Sequence, residues 1–220
     1  MKLARLHKHA NLEPYWHVQL AVVVAVVLQL VLNNKLTVGP KYVIAGFEIL
    51  LLVSLAVVTP KSNKALTHLR HSMAILLIAF ISFANVTSLI LVVDSLLGTK
   101  LITGKELILS AIAIYLTNII IFGLWYWELD SNGNPAQSQS VEPVDFLFPQ
   151  MNTGIKVEGI DSWAPTFFDY LYVSITNASA FSPTDTLPLT HRAKLLMSSQ
   201  STVSLITIAL VAARAVNILA

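Results

Sequence analysis

Long apolar segments separated by short polar connections dominate the pattern of this chain. Each apolar segment has roughly the 17 to 25 residues that a helix needs to cross the hydrocarbon core of a bilayer. The predicted spans are residues 17–33, 42–58, 72–93, 107–127 and 195–219. The first four are joined by short connections, which predict antiparallel neighbours in an up-and-down bundle.

The stretch between the fourth and fifth spans has a different pattern. Residues 128–162 begin with a polar, flexible part and continue with an amphiphilic part, Val144–Met151, which we expect to lie at a membrane interface. Residues 163–181 are aromatic but contain Asp169 and Asn177, which is too polar for a lipid-facing span. A helix of this kind is tolerated at membrane depth only where protein or water covers it.

The predicted fold class is therefore all-α: a polytopic membrane protein with five transmembrane helices and a re-entrant helix before the last one. We divide it into two regions. Residues 1–105 form an N-terminal three-helix transmembrane region. The second region, residues 106–220, consists of an outer helix (107–127), a linker (128–162), a re-entrant helix and loop (163–190) and an inner helix (195–219).

Composition restricts the function classes. Hydrophobic residues make up 55% of the 220 positions and charged residues only 12%, about half of what soluble domains carry. The formal net charge of +2 is spread over helix ends, so we expect a lipid bilayer as the surrounding partner and no nucleic acid. The chain has no cysteine and no hydrolase or nucleotide-binding motif, so we expect no enzyme, no cofactor and no metal site.

Basic residues near the helix ends predict the orientation in the membrane. One side holds eight of them and the other four, and the positive-inside rule places the larger group in the cytoplasm. The larger group is Lys2, Arg5, Lys8, Lys61, Lys64, Arg70, Arg192 and Lys194. The N-terminus and the linker are then cytoplasmic, in a multi-pass protein of the plasma membrane.

Two charges inside predicted spans are candidates for chemistry. Glu48 and Arg214 lie at similar depths in the second and fifth spans, which makes an ion pair between them geometrically feasible. Such a pair would either neutralise two buried charges or act as a proton or ion relay.

The last span also carries a polar face. Its members recur at intervals of three or seven residues and share one side of the helix: Ser201, Ser204, Thr207, Arg214 and Asn217. This face either lines a water-filled pathway or forms hydrogen bonds between helices. Asn85 and Asn118, in the middle of the third and fourth spans, are more typical of bonds between helices.

Residues 169–190 resemble the pore helix and filter of the two-helix potassium-channel superfamily. The matching positions are Asp169, Leu171, Tyr172, Ser174, Asp185, Pro188 and Thr190. The likeness is close over about 25 residues, and in outline it extends over the flanking helices. It implies a pore loop whose filter-like residues are Ser179, Phe181, Ser182, Pro183, Thr184 and Asp185.

The central element of that filter differs. This chain has Ser182-Pro183-Thr184 where the superfamily has Gly-Tyr-Gly, so its potassium selectivity is not implied. A ring of Asp185 side chains would favour cations. The segments 125–130, 145–151, 181–185 and 214–217 also resemble a bacterial family of multi-pass membrane proteins, and that resemblance implies no activity.

The resemblance implies a channel-like protein that passes small ions as a homo-oligomer, because one loop and two helices cannot enclose a pore. The alternatives are a non-conducting structural or partner subunit whose loop is a plug, and a secondary transporter, which the missing inverted repeat disfavours. In the superfamily the loop enters from outside, whereas the charge count places it inside. These two indications of orientation disagree.

Overall fold

A computed structural model describes most of the two predicted regions. It covers residues 16–32, 34–37, 39–58, 64–97, 102–131, 144–151, 163–179 and 185–219. In this part of the chain the structure is helical apart from two short strands. The helices are α1 (Trp16–Val31), α2 (Lys41–Val58), α3 (Lys64–Leu97), α4 (Gly104–Ser131), α5 (Phe167–Ser179) and α6 (His191–Leu219). The strands are β1 (Phe146–Leu147) and β2 (Leu187–Pro188).

The all-α prediction is confirmed, and three helices are long and apolar enough to cross a membrane. Their candidate spans are His68–Leu96, Gly104–Asp130 and His191–Arg214. The apolar stretches Trp16–Val31 and Tyr42–Ser54, in α1 and α2, are shorter. At about 1.5 Å per residue, α1 is about 24 Å long, somewhat less than a hydrocarbon core of about 30 Å.

The first four helices pack as a ring, in which each helix contacts the next and α4 returns to α1. A turn with Gly39 at φ +71° leads into α2, and this left-handed conformation is one that side chains with a Cβ rarely adopt. Apolar side chains fill the ring, among them Val22, Ile78 and Leu124. The ring agrees with the predicted up-and-down bundle.

Helix α4 is the centre of the molecule. It packs against α1 and α3 on one side and against α5 and α6 on the other, so the two predicted regions share it. About 61% of its most apolar stretch is buried, against 17% for α6. Most of α6 therefore faces away from the rest of the chain.

Several helices extend beyond their predicted apolar spans because polar residues cap them. At the start of α4 the backbone N–H of Thr103 donates to Glu106 Oε2 at 3.0 Å, and the N–H of Glu106 donates to Thr103 Oγ1. This reciprocal pair is a capping box. At the start of α6 the N–H of Ala193 donates to the hydroxyl of Thr190. Capping residues are polar, so hydropathy alone places these ends too far inside the helix.

The segment expected at the interface, Val144–Met151, packs against the helices through its aromatic rings. Phe146 and Phe148 are almost fully buried, and their rings contact Tyr126 of α4, Tyr170 of α5 and Trp163. Strand β1 pairs antiparallel with β2, with Phe146 opposite Pro188. This pairing attaches the linker to the chain that enters α6.

Candidate functional site

Helix α5 is a half-length helix wedged between α4 and α6. Near its start, Tyr170 donates a hydrogen bond of 2.6 Å to Asp130 at the end of α4. One turn later, Ser174 donates to the carbonyl oxygen of Ile119, near the middle of α4. Helix α5 thus runs from the end of α4 towards its middle, where α5 ends at Ser179.

The chain then returns to the end of the bundle from which α5 started. Leu187 of β2 pairs with Leu147, and the N–H of Leu189 donates to the carbonyl of Asp145. The N–H of Asp145 in turn donates to Asp130. The described chain on either side of residues 180–184 therefore lies beside the second half of α4.

Gly123 permits the close approach of α5 to α4. A Cβ at this position would lie 3.2 Å from the Cα of Leu171 and 3.2 Å from its Cδ1. That is closer than side chains normally pack, so the absence of a side chain at Gly123 favours the close contact of α5 with α4.

Gln200 of α6 is the centre of a buried hydrogen-bond network between α4, α5 and α6. Its Oε1 accepts from the hydroxyl of Tyr126 at 2.6 Å and from Asn177 Nδ2 at 2.8 Å. Its Nε2 donates to the backbone oxygen and the hydroxyl of Ser174, at 2.9 and 2.6 Å. All the hydrogen-bonding capacity of the amide is used, and Gln200 is fully buried.

The predicted polar face of α6 belongs largely to this packing. Ser204 accepts from Asn118 Nδ2 at 2.9 Å, which confirms the bond between helices expected for Asn118. Ser201 donates to Asn177, and Thr207 is fully buried and donates to the carbonyl of Val203 in its own helix. In the single chain these groups bond protein instead of lining an open pathway. The side chain of Asn217 lies outside the described residues.

A second polar cluster fixes the entry to α6. The carboxylate of Asp145 is buried and accepts from Arg192 Nε at 2.9 Å and from the hydroxyl of Thr190. Arg192 also donates to the carbonyl of Leu129. Burial raises the pKa of Tyr170 well above its ordinary value, and the nearby carboxylate of Asp130 acts in the same direction. Its hydroxyl therefore stays protonated and remains a donor.

The filter-like residues are only partly described. Ser179 ends α5 and donates to the carbonyl of Thr176, and Asp185 is exposed where the chain returns. Phe181, Ser182, Pro183 and Thr184 lie outside the described residues. Asp169, one of the positions of the resemblance, caps α5 by accepting from the N–H and the hydroxyl of Thr166.

The predicted ion pair between Glu48 and Arg214 is not formed. Within the described part of the chain, neither carboxylate oxygen of Glu48 has a hydrogen-bond partner, and neither does Nε of Arg214. Similar depth does not bring the two together, because α2 packs against α1 and α3 whereas α6 packs mainly against α4 and α5.

The structure shows a different buried ion pair. Glu128 of α4 is almost fully buried, 3.5 Å from the guanidinium of Arg70 and 2.7 Å from Nδ1 of His71, both on α3. The sequence pattern did not indicate Glu128, Gln200 or Asp145 as site residues. Gln200 could have been found, because it precedes Ser204 by four residues and Thr207 by seven, and so lies on the same helical face.

No protein-family model, no curated protein and no solved structure matches this chain.

Proposed function

We propose that this protein is a pore-loop channel-like membrane protein that passes small ions as a closed oligomer of identical chains. The observation that carries the proposal is the position of α5, which lies between α4 and α6 and runs from the end of α4 to about its middle, with β2 close to the end at which α5 begins. The resemblance of residues 169–190 to the pore helix and filter of potassium channels supports the same architecture.

In this proposal the chain crosses the plasma membrane five times, with α1 and α2 as the two shorter spans and α5 as a re-entrant helix. The N-terminus is assigned to the cytoplasm by the excess of basic residues on that side. The short α1 and α2 are accommodated by local thinning of the bilayer or by less tilt.

The outward face of α6 supports assembly into an oligomer. It combines exposed apolar side chains such as Leu195 and Leu205 with the exposed hydroxyl residues Ser198 and Thr202. Each of these hydroxyls donates to a carbonyl four residues earlier in α6, so it can be buried against another helix without losing its bond. Small hydroxyl residues are common where membrane helices pack closely.

A second candidate is a non-conducting structural or partner subunit whose loop is a plug. The complete hydrogen bonding of Gln200 favours this candidate, because this polar side chain of α6 is bonded entirely to protein groups of the same chain. The two candidates differ in ion passage.

Reconstitution separates them. Liposomes containing the purified protein should release small monovalent cations, and Asp185→Asn should reduce the flux because it removes the exposed carboxylate beside the loop. Asp94→Asn, another exposed carboxylate but on α3, is the matched control and should leave the flux unchanged. Absence of flux from a correctly folded protein would contradict the channel and favour the plug.

Assembly is tested with single-cysteine variants, which are simple to interpret because the chain has no cysteine. Oxidation of Thr202→Cys in membranes should give a ladder of cross-linked species that ends at a defined ring size. Leu76→Cys, on an exposed face of α3, serves as the control and should give none. A strictly monomeric protein would exclude the pore.

A further inference from the structure

One buried carboxyl group of the described chain has no partner. Glu48 is fully buried, and neither of its carboxylate oxygens makes a hydrogen bond to any described residue. It lies in the middle of the inward face of α2, one turn from Ala45 and one turn from Leu52, which pack into the core. The residues of α2 that pack into the core around Glu48, Ala45 and Leu52, are apolar.

A small cavity with a mainly apolar lining lies one turn of α2 away from Glu48, which does not line it. It holds about 20 Å³, room for about one water molecule, and Ala45 of α2 forms part of its wall. The polar residues of its lining are Gln29 of α1, Thr37 in the turn before α2, and Ser88 of α3. The amide of Gln29 also lies near the Glu48 carboxyl, but the two do not meet in a hydrogen bond of normal geometry, and among the described residues Nε2 of Gln29 has no partner.

No charged group of the described chain neutralises Glu48. The charged and histidine side chains that the structure describes on α1, on α3 and in the turn between α1 and α2 are His17, Lys35, His68, Arg70, His71 and Asp94. His17 is twelve residues from Gln29, about 18 Å along α1. Arg70 and His71 bond Glu128, and Asp94 is ten residues from Ala84 of the cavity wall, about 15 Å along α3.

We propose that Glu48 binds a proton near neutral pH and that Glu48 and Gln29 form a proton-binding site within the packing of α1, α2 and α3. An isolated carboxylate in an apolar interior is strongly disfavoured, and the group avoids this by binding a proton. A carboxylic acid has one donor and one acceptor, which complement the acceptor and donor of the Gln29 amide.

A lipophilic carbodiimide tests the proposal, because it adds to the protonated form of carboxyl groups in apolar surroundings. The full-length protein in detergent should be labelled at Glu48 near neutral pH, as detected by mass spectrometry of peptides. Labelling should be lost when the pH is raised and when Glu48 is replaced by Gln. Glu128 is the internal control, since it is equally buried but paired with Arg70, and it should not be labelled.

Three outcomes would overturn the proposal: no labelling of Glu48 in protein shown to be folded, labelling that does not respond to pH, or equal labelling of Glu128. Protection by sodium or lithium at constant pH would identify a metal cation as the ligand and would also overturn it. An infrared measurement gives a second readout. The band of a protonated carboxylic acid should disappear in Glu48→Gln and should shift in heavy water if the site exchanges its proton.

Discussion

Two fully buried polar side chains of this protein, Gln200 and Glu48, differ in their hydrogen bonding. Gln200 lies between α4, α5 and α6, and every hydrogen-bonding position of its amide has a partner. Glu48 lies between α1, α2 and α3, and among the described residues its carboxylate oxygens have none. A complete network fixes one arrangement of helices. An unsatisfied ionisable group has no such structural function and is the better candidate for chemistry.

The same contrast separates the two halves of the helical assembly. On the side of α5 and α6, polar groups attach the linker, the wedge helix and α6 to one end of α4. On the side of α2, the described packing is mainly apolar and includes the buried Glu48, whose carboxylate oxygens make no hydrogen bond to a described residue. We therefore expect substitutions near α5 to affect stability, and substitutions at Glu48 to affect proton binding with little loss of stability.

The largest expected effect is that of Gln200→Leu. This change leaves the buried hydroxyl of Tyr126 without its acceptor and removes one hydrogen bond from Asn177, which keeps its bond to the carbonyl of Met197, and two from Ser174. We expect the free energy of unfolding to fall by about 3 to 5 kcal/mol. Denaturant-induced unfolding in detergent measures the loss. Ser199→Leu, on the exposed side of the same helix, should change stability by no more than about 0.5 kcal/mol. Equal effects of the two changes would show that the network is unimportant.

The two buried glutamates allow a matched test of the comparison. Glu128→Gln removes the charge that Arg70 and His71 face, and breaking a buried pair should lower the free energy of unfolding by about 3 kcal/mol. Glu48→Gln replaces a protonated carboxyl by a neutral group of the same shape and should change it by about 0.5 kcal/mol or less. The same unfolding assay applies to both variants. A large loss in Glu48→Gln would indicate that this carboxylate is charged and paired in the membrane.

The smallest expected effect concerns two glycines in apolar helices. Gly123→Ala places a methyl group against Leu171 and should lower the free energy of unfolding by about 1 kcal/mol. A methyl group at Gly46 meets no heavy atom within 4 Å, so Gly46→Ala should raise stability by about 0.5 to 1 kcal/mol through helix propensity. Opposite signs in a thermal-unfolding series would confirm the close contact of α4 with α5, and equal signs would contradict it.

The pattern of apolar residues along the chain predicts which segments are helical, and it predicts the all-α fold class. Length and continuity of apolar residues are local properties, so the pattern predicted α3, α4 and α6 to within about two turns. It also predicted a separate short helix before the last one, which the structure contains as α5.

The pairing of the polar groups, in contrast, depends on the tertiary structure. Depth along a helix can be read from residue numbers, but the direction of a side chain depends on the rotation of each helix and on which helices are neighbours. Glu48 and Arg214 lie at similar depth and still do not meet. Gln200, Asn177 and Ser174 meet because α5 fits against Gly123, a contact made across about 50 residues of chain that no local pattern encodes.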